Sequence, residues 1–226
     1  MRKKLVRYAA AGEAEGATNG QDQALEVAKA IISRAVEGVP SLRLTSCKKL
    51  AETYLSDSRY ADHDARVDSL IRWESAKNFT SGFLSGLGGV LTLPVSIPAT
   101  IGASYVLQAR MSGAIAYIYG YDVDDERVRT LVLLTLIGDS AKEPLKQAGI
   151  KIGQALTKNL IQKIPGELLV QINKKVGFRL LTKAGTKGVI NLTKAVPVVG
   201  GVVGGATDFL ACKAVGRVAK ELFRPK

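Results

Sequence analysis

The chain has 226 residues, 46% of them hydrophobic, and a formal net charge of +12 from 32 basic and 20 acidic side chains. That length is ample for a sizeable core, and the hydrophobic fraction is ordinary for a globular protein, which argues against a polytopic membrane protein. The two cysteines, Cys47 and Cys212, stand far apart without CxxC spacing, which argues against a disulfide scaffold or a zinc site and suits a reducing compartment.

Residues 1–20 are rich in Gly and Ala and are expected to form a loose leader ahead of one domain over 21–226. The short apolar run near the start is broken by Arg7, Glu13 and Glu15, so it does not make a signal peptide, and the chain reads as cytoplasmic. Gln21 to Glu37 carries Leu25, Ala28, Ile32 and Val36 at helical spacing, with Gly38-Val39-Pro40 as a stop. A second helix is expected from Leu42 to about Leu55. Ser56 to Asp68 is a polar connection with several aspartates around His63; helix capping by Asp-x-Asp competes there with a metal site, and capping is the simpler account. From Asp64 to Lys77 a further helix leads into the longest uncharged passage. Trp73 lies just upstream of it beside Arg72 and Lys77, where an interfacial aromatic would sit if the passage met lipid; a core tryptophan is the equal alternative.

That passage, Asn78 to Ala109, contains no charged side chain and is longer than the roughly 20 residues that span a bilayer. Pro94 and Pro98 break it, and Gly82, Gly86, Gly88 and Gly89 weaken its first half. Two helical arms around a proline turn are therefore expected, with Leu91, Leu93, Val95 and Ile97 at the tip. The Gly82/Gly86 and Ser85/Gly89 pairs suit close helix packing in lipid or in a protein core. After Pro98, Ala99 to Tyr119 reads as one long helix whose lone charge, Arg110, requires a carboxylate partner; Asp122, Asp124, Asp125 and Asp139 are the nearby candidates.

Gly120 ends that helix. Asp124 or Asp125 is placed to cap the next one, although the Asp122–Asp125 cluster also has the chemistry of a divalent-cation site. Thr130 to Ile137 is apolar on every side and should be central. From Lys142 onward the chain holds 16 basic and 4 acidic residues, against 16 of each before it, so the whole excess lies in this half. Lysines alternate with Leu and Ile there, and Lys174, Lys175 and Arg179 flank apolar positions of Leu168 to Leu181. Such basic amphipathic helices can lie on an anionic surface or simply face water. Ala195 to Ala206 is a second Pro/Gly-rich apolar segment, and Thr207 to Phe223 closes the chain as a helix.

No P-loop, GxSxG, HExxH or triad pattern is present, so no catalytic residue, metal ligand or cofactor is assigned. Nucleic-acid binding lacks a recognisable module and stacking aromatics in the basic half. The run Gly88–Asp122, with its Leu-Pro-x-x-x-Pro turn and Tyr-Gly-Tyr-Asp helix end, resembles the EcsC protein family, as do Asn173–Gly188 and the Pro-x-x-Gly-Gly segment within Val196–Phe223. The resemblance extends over roughly Ala30 to Phe223. It implies a bacterial, helical protein and carries over a structural motif at Pro94, Pro98, Gly120, Asp122, Pro197, Gly200 and Gly201. The family takes its name from a protein encoded beside an ABC transporter, which makes a membrane protein or transporter a partner to consider.

The expected architecture is an all-α, single-domain bundle with two Pro/Gly-broken apolar hairpins, neutral to about residue 141 and basic after it. The expected function is non-enzymatic association with anionic lipid at the inner face of a bacterial membrane. The alternative is a soluble hydrolase-like enzyme using Asp122–Asp125, with or without a metal.

Overall fold

The computed structural model describes residues 2–79, 99–147, 149–150, 156–193 and 199–225; the side chains of 2–19, 78–79, 99–101, 183–193 and 199–208 and of residues 42, 139 and 142 are outside the description. The Leu91–Ile97 tip, Pro94, Pro98 and Pro197 therefore lie outside the described residues. The fold is all-α. Among the described residues there is no strand, only an isolated antiparallel bridge between Val39 and Leu44.

Helix α1 spans Arg2–Glu37, so it begins well ahead of the expected Gln21 start and includes the stretch expected to be a loose leader. Ala-rich sequence with few β-branched residues propagates a helix in spite of its scattered glycines. Gly38 stops it at φ 83, and Pro40–Leu42 makes a 3₁₀ turn that ends with Arg43 at φ 53. The second helix therefore starts later than Leu42. α2 is Cys47–Leu55, capped by Ser46, whose hydroxyl accepts from the Lys49 amide at 3.1 Å.

α3 spans His63–Phe79, and Asp62 caps it by accepting from the Ala65 amide at 2.7 Å. α4 is Ala99–Ile118, close to the expected Ala99–Tyr119, and every residue from Gly102 to Ala116 is buried. α5 is Glu126–Thr135. Asp125 caps it, and Thr130 to Ile137 are all buried, as an all-round apolar pattern requires. Thr135 fits this core because its hydroxyl lies 2.8 Å from that of Ser112 on α4.

A short 3₁₀ turn, Gly138–Ala141, leads to α6, Lys142–Gln147, and Thr157 caps α7, Lys158–Gln162. The long basic helix α8 is Gly166–Thr193, and α9 is Val199–Phe223. α4 is the axis, with α1, α2, α3, α5 and α9 packed against it. α1 and α8 pack over a long contact, and at their crossing Gly177 lies against the Ala24 backbone so closely that an added Cβ would collide with the Ala24 carbonyl.

Replacing Gly177 by Ala should therefore push α1 and α8 apart and cost about 1–3 kcal/mol. Urea unfolding of the variant checks this: an unchanged midpoint would mean that the helices do not meet so closely.

Candidate functional site

Four helices show their relative directions through specific contacts. On α3, Glu74 accepts from Arg110 of α4 at 2.9 Å, and Asp64 accepts from Tyr119 of α4 at 2.7 Å, so α3 and α4 are antiparallel. Asp68 pairs with Lys220 of α9 at 2.6 Å, Asp64 with Arg224 just beyond it, and Ile71 lies against Gly216, so α3 and α9 are antiparallel as well. α4 and α9 therefore run parallel, and the Cys212 thiol reaches the Met111 sulfur at 3.9 Å. The Ile164 carbonyl, just before α8, accepts from Arg127 at 3.1 Å near the start of α5, while Tyr105 near the start of α4 donates to Leu180 at 3.4 Å. α8 therefore runs opposite to α4.

It follows that the end of α3, the start of α4, the end of α8 and the start of α9 all lie at one pole of the bundle. These four helix ends flank residues 80–98, within the first apolar Pro/Gly segment, and residues 194–198, which are Lys194 and the start of the second. Gly200 and Gly201 lie in the first turn of α9 at this pole.

The buried Arg110 has its carboxylate partner on α3 rather than among the expected aspartates. Glu74 and Arg110 are both buried, Thr45 accepts from the same guanidinium at 3.2 Å, and Lys77 adds a second cation to Glu74 at 2.9 Å. Asp122 braces the turn after α4, Asp124 pairs with Lys48 and Arg129 and Asp125 caps α5, while the side chain of Asp139 lies outside the described residues. Sequence reasoning misses Glu74 because it is one of several charges on a polar helix that arrives from a distant stretch of chain.

On the outer side, α8 exposes Val170, Gln171, Lys175, Phe178, Arg179 and Thr182, a continuous helical face. Lys174 lies at its border and pairs with Asp22 of α1 at 3.5 Å. Lys174, Lys175 and Arg179 are thus brought together around Phe178, which is 56% exposed. Trp73 is 57% exposed and is not a core tryptophan. Leu210 on α9 is 62% exposed, with exposed Lys213 and Arg217 following it. Exposed Phe178 and Leu210 were not singled out from sequence, because helical periodicity alone does not show which side a neighbouring helix covers. No described helix is long and apolar enough to cross a membrane.

At the opposite pole, Tyr-Gly-Tyr-Asp turns the chain between α4 and α5. Gly120 has φ 86, a conformation that favours glycine. A pocket of about 510 Å³ opens there, lined by Tyr117, Tyr121, Asp122, Asp125, Lys158 and Gln162 among others. Its acidic residues are already engaged: Asp122 accepts from the Asp124 amide at 3.0 Å, and Asp125 accepts from the Arg127 amide at 2.7 Å and from Gln162 at 2.6 Å. Asp124 forms ion pairs with Lys48 and Arg129. No group of three His, Cys, Asp or Glu placed to hold a metal ion occurs among the described residues, and His63 is exposed at the start of α3. Burial pushes the Cys47 thiol up to about 11, so it is a poor nucleophile.

A family model for the EcsC protein family matches residues 10–225, nearly the whole chain. The chain belongs to the EcsC protein family. Neither a curated protein nor a solved structure matches it. In this EcsC-family chain the Tyr-Gly-Tyr-Asp corner and the start of α9 at Gly200 and Gly201 lie at opposite poles, so the motif residues do not form one site.

Two outcomes are expected. Glu74→Ala leaves a buried guanidinium without its carboxylate and should cost about 3–5 kcal/mol, whereas Glu74→Leu combined with Arg110→Met should recover most of that loss; a double-mutant cycle by chemical denaturation measures the difference. The hydrogen bond from Lys48, with Arg129 adding to it, holds the Asp124 carboxyl below its usual 3.8. A carboxylate depressed in the folded state stabilises the fold above that unfolded value, and this contribution is lost as pH falls through the folded one. Asp124→Asn should therefore show a smaller loss of stability than the parent as pH drops below about 4, read from denaturation midpoints across acid pH.

Proposed function

We propose that this EcsC-family protein associates peripherally or monotopically with the inner face of a bacterial membrane. The pole that gathers the flanks of both apolar segments contacts lipid, and Lys174, Lys175 and Arg179 of α8 meet anionic headgroups. The observation that carries this reading is the convergence of four helix ends. Asn78 to Ala109 and Ala195 to Thr207 contain no charged side chain, and their flanking helices all meet at one end of the bundle. A pole where two uncharged segments meet beside a basic helix face has the two components that surface attachment requires, apolar area and attraction to anionic lipid. Exposed Trp73 and Phe178 beside cations add to it.

A second reading, a soluble hydrolase-like enzyme working at Asp122–Asp125, is favoured by the pocket that Asp122 and Asp125 line. It is the weaker one, because capping and hydrogen bonds within the fold already account for both carboxylates. Addition of Mg²⁺ or Mn²⁺ that raises the melting temperature of the protein but not of Asp122→Ala would favour it.

Liposome flotation tests the membrane reading. The protein should float with vesicles containing phosphatidylglycerol, and more weakly with phosphatidylcholine alone. Replacing Lys174, Lys175 and Arg179 together by Ala should weaken binding to anionic vesicles roughly 10²-fold at low salt, at about 1 kcal/mol for each side chain. Protein that stays at the bottom with every lipid would overturn the proposal.

A further inference from the structure

The cavity of about 510 Å³ at the Tyr-Gly-Tyr-Asp corner falls within the size range of small-molecule sites. Three helices each turn one face to it. Tyr117 and Tyr121 stand four residues apart around the end of α4, Asp125 and Val128 three apart at the start of α5, and Lys158, Ile161 and Gln162 share one face of α7. The walls are tied together. Gln162 donates to Asp125 at 2.6 Å, and Arg127 donates to the Ile164 carbonyl at 3.1 Å. The Tyr121 hydroxyl donates to the Leu156 carbonyl, and its ring lies 5.4 Å from that of Phe223 between centres. Gly120 adds no side chain to the opening, and a Cβ there would meet nothing within 4 Å.

The lining combines apolar surface with polar groups that the fold leaves unused. Val128, Ile161 and Tyr121 are buried and supply the apolar part. Lys158 is exposed and pairs with no carboxylate among the described residues. Asp122 is exposed too, and it uses Oδ1 to accept from the Asp124 amide; its Oδ2 has no partner among the described residues. A carboxylate has roughly four acceptor sites, so Asp122 keeps most of its capacity. Tyr117 is half-buried, and its hydroxyl makes no hydrogen bond among the described residues. Asp125, by contrast, is occupied on both oxygens by the Arg127 amide and Gln162. An anion without a cationic group would meet the two aspartates, and a cation without an anionic group would meet Lys158. A ligand carrying both charges complements the lining.

We propose that this cavity binds a small zwitterion with an apolar side chain, the chemistry of a free α-amino acid such as leucine or phenylalanine. The ligand carboxylate pairs with Lys158. The ammonium donates to Asp122 Oδ2 and to the Tyr117 hydroxyl, and the side chain packs on Val128, Ile161 and the Tyr121 ring. Charge-assisted hydrogen bonds at both ends fix the orientation, while the apolar part selects for side-chain bulk. No bond is made or broken. The cavity lies at the pole opposite the apolar segments, so ligand binding here and membrane attachment there stand or fall separately.

Isothermal titration of the protein with L-leucine and with L-phenylalanine tests this, and at least one of them should bind at a single site. Three analogues each lack one element: isocaproate has no ammonium, isoamylamine no carboxylate and glycine no side chain. Each should bind roughly tenfold or more weakly than the amino acid. Lys158→Gln and Asp122→Asn, both at exposed positions, should keep the helical circular dichroism and each weaken amino-acid binding by roughly tenfold or more. Lys175→Gln, on the outer face of α8, should bind as the parent does. If neither amino acid binds at millimolar concentration, the cavity is not such a site. Isocaproate or isoamylamine binding as tightly as the amino acid, or unchanged binding in Lys158→Gln or Asp122→Asn, would equally overturn the assignment.

Discussion

A guanidinium held inside a helix that is buried along most of its length constrains the rest of this bundle. Arg110 lies on α4, whose neighbours are α1, α2, α3, α5 and α9. A charge in that position is tolerated only with a matched partner and further hydrogen bonds. Glu74 and Thr45 provide them from α3 and from the segment before α2. The pair sets the register of α3 against α4, and the Asp64–Tyr119 hydrogen bond repeats that register two to three turns further along. Burial, with the Asp64 carboxylate beside it, pushes the Tyr119 phenol up, so Tyr119 stays a hydrogen-bond donor throughout the ordinary pH range.

Once α3 and α4 are antiparallel in this register, the remaining directions follow. α9 packs against both, with Gly216 letting Ile71 approach and the ion pairs to Lys220 and Arg224 closing the far end. α8 returns along the other side, where Gly177 admits the Ala24 backbone. Two independent crossings thus use glycine to bring helices close. Their consequence is an asymmetric molecule, with the edges of the uncharged segments at one pole and a polar corner of caps and ion pairs at the other. That division underlies the lipid-docking proposal.

The polar corner also shows why sequence motifs for chemistry mislead here. Ser46 and Lys49 have the spacing of a nucleophile and its base, yet the serine hydroxyl accepts from the backbone amide of Lys49 as a helix cap. The Asp122–Asp125 cluster resembles a cation site, yet Asp125 caps α5 and Asp122 braces the turn before it. Short polar side chains next to helix starts satisfy backbone donors first, because an unpaired helix amide is costly.

Several features could be read from the residues alone: the all-α class, the helices ending at Glu37 and Leu55, the long helix after Pro98, the central position of Thr130–Ile137, the cap before α5 and the family. Each of these depends on local periodicity or on caps within a few residues, or on a motif contiguous in the chain. Four things were decided only by tertiary structure. The partner of Arg110 is Glu74, 36 residues away. Trp73 faces outward, although its sequence context allowed either side. Phe178 and Leu210 remain uncovered on α8 and α9. The flanks of both apolar segments meet at one pole. Each of these is a relation between segments distant in sequence, set by which helix faces pack and in which direction, and local pattern does not encode that.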